Sequence, residues 1–378
     1  MRSLSCFPEV VIDFEKLRHI NTGLGQFSLN LGREILKIRP DSFAPAFLMP
    51  RDSQRFFSDD NYRHIPVGLW KKEGLRKLLR PFEKFRSHQS SIAAWHITHQ
   101  SSKYLPFNSK TPVLLTIHDL NFLQDNHEMA TEGSLTARQN RKLAAVQRLV
   151  NRASVISTVS HFTEGEVRKF LQTDGKPIYV IPNGLAQPEA ASPTRPTFLS
   201  PGEYYLTVGN CLRHKNFHVL IKMISEIPQS RLVIAGKKQT SYGAQLQKEI
   251  IRLGLENRIF MTGEVSQGDL QWLYENCEAF FFPSLAEGFG FPVLEAMQCG
   301  KPVFMARSTS LPEIAGQCGF FFDSFEPEHM ANICCEGLRT FRMNSMKEQC
   351  QEHARTFSWE RAAKAYINIY KSLLRLPL

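Results

Sequence analysis

The sequence predicts an α/β protein with two parallel-sheet domains. Short apolar runs that are typical of buried strands alternate along the chain with segments of helical spacing, and this order favours parallel sheets covered by helices on both faces. The length of 378 residues exceeds the size at which one hydrophobic core usually stops growing, so two domains are expected. Ligands of such sheets bind at the carboxyl ends of the strands.

The first domain is expected to span residues 1–185. A polar, glycine-containing loop at 21–25 follows the first buried strand and precedes a helix from Gln26 to about Leu36. Helical spacing returns at 143–150. The strands predicted for this domain are 10–14, 113–117, 154–159 and 178–181.

A proline-rich stretch separates the two predicted domains. Residues 186–202 show little periodicity and contain several prolines, which is typical of a linker. The second domain is then 203–358, and an amphipathic helix at 359–378 is expected to pack back on the first domain. The elements predicted for the second domain are strands 204–208, 231–235, 258–261 and 279–282, helices 218–224, 244–253 and 270–276, and a helix that opens at Pro292.

Composition limits the partners and the compartment. A net charge of +10 indicates an acidic partner, either an anionic lipid or a phosphorylated substrate. Nucleic acid is not expected, because neither an RNP-type motif nor zinc-finger spacing occurs. The eight cysteines include no C-x-x-C pair, so neither a disulfide framework nor a zinc site is expected, and a cytoplasmic location fits. No apolar run approaches the roughly 20 residues that span a bilayer.

The most informative stretch is 280–300. An apolar strand ends there at Pro283, a glycine-bearing loop with Glu287 follows, and Pro292 opens a helix. The N-terminus of a helix presents free N–H groups and a positive dipole end, which suits phosphate. Glu287 and Glu295 flank this loop with seven residues between them. Two acceptors beside an anion site indicate a ligand that is both phosphorylated and rich in hydroxyls, such as a nucleotide sugar.

This stretch resembles the E-x7-E element of the retaining nucleotide-sugar glycosyltransferases of family 4, and looks most like bacterial mannosyltransferases of surface-polysaccharide synthesis. It reads P-S-x-x-E-G-F-G-x-P-x-L-E-A-M-x-x-G-x-P-V. The resemblance covers nearly the whole chain and implies the GT-B fold, in which two Rossmann-like β/α/β domains face each other across a cleft. Other pieces occur in the order of the family, namely Gly23-Leu24-Gly25, His118-Asp119, Thr158-Val159-Ser160, Pro182-Asn183-Gly184, Val208-Gly209, Lys215-Asn216, Thr262-Gly263 and Leu311-Pro312-Glu313.

The resemblance implies roles for the residues of the E-x7-E element. Glu287 matches the glutamate that binds hydroxyls of the donor sugar. Glu295, expected in the first turn of the helix, matches the glutamate that holds the ribose hydroxyls, and an acid that only complements the helix dipole is the alternative. Gly288, Phe289 and Gly290 would offer backbone N–H groups to the sugar and the phosphates.

The resemblance also implies a cation and a histidine at the reacting centre. Lys215 matches the lysine that neutralises the diphosphate as it leaves. His214 stands where the family usually has an arginine, so Arg213 is the candidate for a second positive charge. His118 resembles the histidine that contacts the donor sugar near the reacting carbon, and a structural histidine at a strand end is the alternative.

Three glycines complete the set of donor-binding candidates. Gly23 and Gly25 would let the first loop approach the diphosphate closely, although an ordinary turn explains a short Gly-x-Gly equally well. Gly209 belongs to the same set. No Asp-x-Asp pair occurs in the sequence, so no metal ion is expected, and the nucleotide-sugar donor is a substrate rather than a cofactor.

The expected reaction is retaining transfer of a hexose, mannose from GDP-mannose being the best match, to a glycan or lipid-linked glycan acceptor. Since no residue stands out as a covalent nucleophile, the family implies front-face transfer, with the donor mostly on the second domain and the acceptor on the first. The alternatives are a transferase that uses a UDP-sugar, a sugar-phosphate or disaccharide synthase with a soluble acceptor, and a non-catalytic sugar-nucleotide-binding protein.

A basic segment, Trp70–Arg86, stands apart from these motifs. It has seven basic residues against two acidic ones, with apolar residues at helical spacing. A basic amphipathic helix suits an anionic membrane surface, which would make the protein peripheral on the cytoplasmic face of the membrane. Packing of the apolar stripe on the first domain is an equally good explanation.

Overall fold

The chain forms two compact units. Met1–Gly184 and Ser358–Leu378 make up the first unit, and Leu185–Phe357 make up the second. The first unit therefore contains both the beginning and the end of the sequence. The computed structural model describes residues 7–59, 61–69, 92–124, 135–186, 193 and 195–377.

Two predicted segments lie partly or wholly outside the described residues. Of the predicted linker, 186–202, residues 187–192 and 194 are not described. The basic segment Trp70–Arg86 lies wholly outside them. Among the helices that the structure describes, none combines the length and the apolar character needed to cross a membrane.

Seven parallel strands form the sheet of the first unit. They are β1 (Glu9–Asp13), β2 (Ala44–Met49), β3 (Arg63–Pro66), β4 (Ile92–Ile97), β5 (Val113–Ile117), β6 (Val155–Thr158) and β7 (Ile178–Val180). Their order across the sheet is β3-β2-β1-β4-β5-β6-β7. The helices described in this unit are α1 (Gly23–Ile38), α2 (Ala137–Arg152), α3 (His161–Phe170) and a C-terminal helix, Trp359–Leu373.

Helix α1 begins earlier than the sequence predicted. Thr22 caps it, because the Thr22 side chain accepts a hydrogen bond from the Gly25 N–H at 3.2 Å. Gly23 and Gly25 therefore lie in the first turn of a helix, and the prediction that they belong to a loop is wrong. A Cβ at Gly25 would lie 2.2 Å from the carbonyl oxygen of His19, so this close approach of two backbone segments requires glycine.

The C-terminal helix packs on the first unit, as expected. Tyr366 and Tyr370 are fully buried in it. Nδ1 of His96, on β4, lies 2.7 Å from the Tyr370 hydroxyl, and Nε2 lies 2.7 Å from the hydroxyl of Thr116 on β5. Both ring nitrogens of a buried histidine are thus hydrogen-bonded, and one of these bonds ties the end of the chain to the central strands.

The second unit contains a six-stranded parallel sheet. Its strands are β8 (Tyr205–Val208), β9 (Leu232–Ala235), β10 (Ile259–Gly263), β11 (Ala279–Phe282), β12 (Val303–Ala306) and β13 (Gly319–Phe322). Their order is β10-β9-β8-β11-β12-β13, the doubly wound order of a dinucleotide-binding fold. The helices are α4 (His218–Glu226), α5 (Ser241–Arg252), α6 (Gln267–Asn276), α7 (Phe291–Gln298), α8 (Leu311–Ala315), α9 (Pro327–Met343) and α10 (Met346–Arg355).

The structure confirms the predicted fold class of two Rossmann-like parallel-sheet domains. Strands β5 and β11 have the predicted bounds, since both are fully buried and apolar except for Thr116 in β5. The prediction omitted five of the strands that the structure describes. These are β2, β3, β4, β12 and β13.

Candidate functional site

The candidate site of the second unit lies where the strand order reverses. Strands β8 and β11 pair directly, with Ala279 opposite Tyr205 and Phe280 opposite Leu206, and the order runs outward from them in both directions. The loops that leave the carboxyl ends of these two strands are therefore neighbours. In open parallel sheets this is the position where ligands bind.

The loop after β8 holds Lys215. It begins at Gly209, whose N–H donates to the carbonyl of Ala235 at 2.8 Å, and it ends in a short 3-10 helix, Arg213–Lys215. The Lys215 stem runs back along the loop, so that a Cβ at Gly209 would lie 3.4 Å from its Cε. The ammonium group lies 4.8 Å from the centroid of the Phe282 ring, which is a favourable cation–π position.

An ion pair joins this loop to the loop after β11. Nζ of Lys215 lies 2.5 Å from Oε1 of Glu287, and the two side chains are only 13% and 15% exposed. The hydroxyl of Ser284 donates to the same oxygen at 2.5 Å. Within the described residues Oε2 of Glu287 has no protein partner, so this oxygen is available to a ligand.

The backbone after Glu287 presents hydrogen-bond donors. The Glu287 N–H donates to the Thr309 hydroxyl at 3.1 Å, and the Ser310 hydroxyl donates to the carbonyl of Phe289 at 2.8 Å. These bonds fix the course of the loop. The next three N–H groups, at 288–290, have no acceptor in the part of the chain that the structure describes, and they lead directly into α7. Successive free N–H groups at a helix N-terminus form an anion site.

Glu295 lies in α7, but not where the sequence predicted. It is the fifth residue of the helix Phe291–Gln298, one turn beyond the first. The prediction of a first-turn position is wrong because α7 begins at Phe291, immediately after Gly290 takes a positive φ of 121°. Glu295 is therefore too far along the helix to act merely as an N-terminal dipole partner.

A tyrosine from the neighbouring helix binds Glu295. The hydroxyl of Tyr274, on α6, donates to Oε2 of Glu295 at 2.7 Å. Burial raises the pKa of the Glu295 carboxyl above its ordinary value, and the hydrogen bond from Tyr274 opposes that shift. The other oxygen, Oε1, has no partner among the described residues.

Arg213 is not brought into this cluster. Its side chain is exposed, two residues before Lys215 on the 3-10 helix. Residues of such a helix are rotated by about 120° from one to the next, so residues two apart point in different directions. The second positive charge at the site therefore stays a prediction.

His118 lies in the first unit, directly after β5. Its Nε2–H donates to the carbonyl of Thr98 at 2.8 Å, and its ring lies perpendicular to that of Phe27, with the ring centroids 4.7 Å apart. Burial lowers the pKa of His118 to about 4, and the Thr98 hydrogen bond only partly opposes this. The ring is thus neutral at pH 7, which leaves Nδ1 as an acceptor with no protein partner among the described residues.

Sequence reasoning missed the residues that hold these groups. Ser284 stands in the quoted P-S-x-x-E sequence, and Ser310 directly precedes Leu311-Pro312-Glu313, but neither was singled out. Tyr274 was missed because it lies on a different helix from Glu295 and belongs to none of the quoted motifs.

Sequence reasoning also missed Asp13 in the first unit. Asp13 is the last residue of β1, its carboxylate accepts a hydrogen bond from the hydroxyl of Ser102, and burial raises its pKa to about 7.

No metal-binding cluster of three His, Cys, Asp or Glu side chains occurs within the ranges that the structure describes.

Comparison with known proteins places both units among sugar transferases. Residues 23–186 match the family "Glycosyltransferase Family 4", and residues 194–355 match "Glycosyl transferases group 1". The chain is 24% identical to O-antigen chain mannosyltransferase B of Escherichia coli over 97% of its own length and 100% of that protein. It is 32% identical to O-antigen chain mannosyltransferase RfbU of Salmonella typhimurium, over 42% of this chain and 43% of that protein.

Solved structures show the same fold. Sucrose-phosphate synthase from Thermosynechococcus elongatus superposes with a TM-score of 0.74 at 18% identity, covering 98% of this chain and 99% of that chain. Anabaena HepE, solved in complex with UDP and glucose, gives a TM-score of 0.68 at 18% identity, with 97% and 100% covered. At these identities the likeness concerns the fold alone.

The buried state of His118 predicts a dependence of stability on pH. Because the folded pKa lies below that of an exposed imidazole, the unfolded chain binds more protons between pH 4 and 6.5, and the free energy of unfolding falls on acidification. Replacing His118 with Gln should reduce the slope of that free energy by about 1 kcal/mol per pH unit, measured by urea titration at pH 5 and pH 6. The exposed His161→Gln is the control, and an identical slope in both variants would contradict the prediction.

Proposed function

Because the chain belongs to the retaining glycosyltransferases of family 4, we propose that it transfers mannose from GDP-mannose to a glycan or lipid-linked glycan acceptor. The Lys215–Glu287 pair beside the free N–H groups at 288–290 carries the proposal of a sugar-diphosphate donor. The choice of mannose is supported by the two O-antigen mannosyltransferases to which the chain is similar.

The donor would bind through three kinds of group on the second unit. The diphosphate accepts hydrogen bonds from the N–H groups at 288–290 and from the ammonium group of Lys215. Oε2 of Glu287 accepts from a hydroxyl of the sugar, and Oε1 of Glu295 accepts from the ribose. Each of these carboxylates already has its other oxygen bound to the protein, so both are oriented before the donor arrives.

Sugar transfer then depends on stabilising the negative charge that develops on the departing nucleoside diphosphate. The bond between the anomeric carbon and the diphosphate oxygen breaks, the acceptor oxygen bonds to the same face of that carbon, and the acceptor proton passes to the departing phosphate. Lys215 and the N-terminus of α7 would stabilise the negative charge that develops, without a metal ion, and the role of Arg213 as the second cation stays a prediction. The roles of His118, Gly23, Gly25 and Gly209 toward the donor stay predictions.

Donor binding is tested by thermal shift. GDP-mannose should raise Tm, since a ligand that binds only the folded chain stabilises it, and the same rise should occur in the presence of EDTA. UDP-glucose at the same concentration is the comparison. A shift with UDP-glucose alone would contradict the guanine assignment, and a shift that EDTA abolishes would contradict metal-free binding.

Glu287→Gln should slow sugar transfer. The substitution neutralises the side chain, so the charged hydrogen bond to the sugar and the ion pair with Lys215 are both lost. Loss of a charged hydrogen bond corresponds to about 10–100-fold in rate. The measurement is release of the nucleoside diphosphate in the presence of acceptor, with Tm recorded to show that the variant is folded. Glu256→Gln, on an exposed turn before the outer strand β10, is the matched control. Full activity in Glu287→Gln would refute the assignment.

We also propose that Trp70–Arg86 holds the protein on an anionic membrane surface, where a lipid-linked acceptor would be found. The support is the sequence, with seven basic residues against two acidic ones and apolar residues at helical spacing.

Charge reversal tests the membrane proposal. Changing Lys71, Lys72, Arg76 and Lys77 to Glu should abolish sedimentation with vesicles that contain phosphatidylglycerol, because attraction to the anionic surface is replaced by repulsion. The control reverses four exposed basic residues elsewhere in the first unit and should sediment like the wild type. Equal sedimentation of both variants would refute the membrane role. The control residues are Lys110, Arg138, Arg148 and Lys169.

A further inference from the structure

The side chain of Tyr274 connects the packed interior of the second unit to its candidate ligand site. Only 3% of Tyr274 is exposed. Its ring packs against Phe280 of β11, with ring centroids 5.6 Å apart, while its hydroxyl reaches Oε2 of Glu295 at 2.7 Å. The ring is thus fixed by the core, and the hydroxyl occupies a defined position beside α7.

The Tyr274 hydroxyl limits the conformational freedom of the Glu295 side chain. A glutamate side chain has several rotatable bonds, and fixing it in one geometry costs conformational entropy at the moment of binding. The bond from Tyr274 fixes Glu295 beforehand. It occupies one carboxylate oxygen and leaves Oε1 without a protein partner among the described residues.

We propose that Tyr274 is a positioning residue for donor recognition, which holds Glu295 so that Oε1 accepts hydrogen bonds from the ribose hydroxyls of the nucleotide. The proposal rests on the nucleotide-sugar donor proposed above. Tyr274 would then help the protein to distinguish a ribonucleotide from a nucleotide that lacks the ribose hydroxyls, although Tyr274 itself does not contact the ligand.

The chain offers a closely matched control for Tyr274. Tyr204 is also buried, and its hydroxyl donates to the carbonyl of Leu273 at 2.9 Å. Leu273 precedes Tyr274 on the same helix, α6. Tyr204→Phe therefore removes a buried hydroxyl that is bonded to the same helix, but it leaves the hydrogen bond between Tyr274 and Glu295 in place. Any general loss of stability in α6 appears in both variants.

The test compares two ligands by isothermal titration calorimetry of the full chain. GDP carries both ribose hydroxyls, and 2′,3′-dideoxy-GDP carries neither. Tyr274→Phe should weaken GDP binding by about 5–10-fold, since the substitution forfeits part of a charged hydrogen bond. It should leave the binding of dideoxy-GDP within about twofold of the wild type, because that ligand makes no bond to Glu295. Tyr204→Phe should bind both ligands as the wild type does.

A double variant checks that the effect passes through Glu295. In a Glu295→Gln background the substitution Tyr274→Phe should weaken GDP binding no further, because the contact that it supports is already lost. Equal weakening of GDP and dideoxy-GDP by Tyr274→Phe would overturn the proposal and indicate a structural role. Unchanged GDP binding would overturn it as well.

The same measurements separate this inference from the proposed donor. If UDP binds the wild type and GDP does not, the guanine assignment is wrong, and the comparison of UDP with 2′,3′-dideoxy-UDP decides the role of Tyr274. If neither ribonucleotide binds, both the donor and the ribose contact of Glu295 are refuted.

Discussion

The ammonium group of Lys215 and the carboxylate of Glu287 lie 2.5 Å apart because the two loops that carry them leave adjacent strands at the reversal of the sheet. Removing both groups from water is costly, and the hydroxyl of Ser284 offsets part of that cost on the acidic side. The pair fixes both loops. The free N–H groups at 288–290 then lie on a backbone whose direction is already set, which is the condition for electrostatic stabilisation without reorganisation.

The protein holds the two glutamates of the E-x7-E element in the same way. Glu287 is bound through one oxygen by Lys215 and Ser284, and Glu295 is bound through one oxygen by Tyr274. A carboxylate can accept about four hydrogen bonds, so one that is bound through a single oxygen can still accept a hydrogen bond from a ligand hydroxyl. The protein thereby reduces the freedom of each acid and keeps its capacity to bind.

The sequence identified Glu287 and Glu295 as candidate site residues but not the side chains that form hydrogen bonds with them. Glu287 and Glu295 were found because their spacing and the flanking glycines form a local pattern. Ser284 and Tyr274 were missed, since their importance comes from hydrogen bonds that only the folded chain creates. Arg213 was assigned from its nearness to Lys215 in the sequence, and its role as a second cation stays a prediction.

The same distinction applies to the fold. Strand β5 was predicted with its bounds because four of its five buried residues are apolar. Strand β4 was missed, since it carries the polar His96, whose burial is compensated by hydroxyls from β5 and from the C-terminal helix. The start of α1 was misplaced because Gly23 and Gly25 resemble a turn, and the Thr22 cap that makes them helical depends on backbone geometry.

The division of the chain at Gly184 and Phe357 has a consequence for biosynthesis. The second unit is inserted in the sequence of the first, so a ribosome finishes Leu185–Phe357 before it has made the helix that covers Phe27 and His96. Until then the first unit lacks Trp359, Tyr366 and Tyr370, which contact Phe27 and His96 in the complete chain. Phe27 and His96 are synthesised early, yet their contacts with the C-terminal helix form only after the second unit has been made.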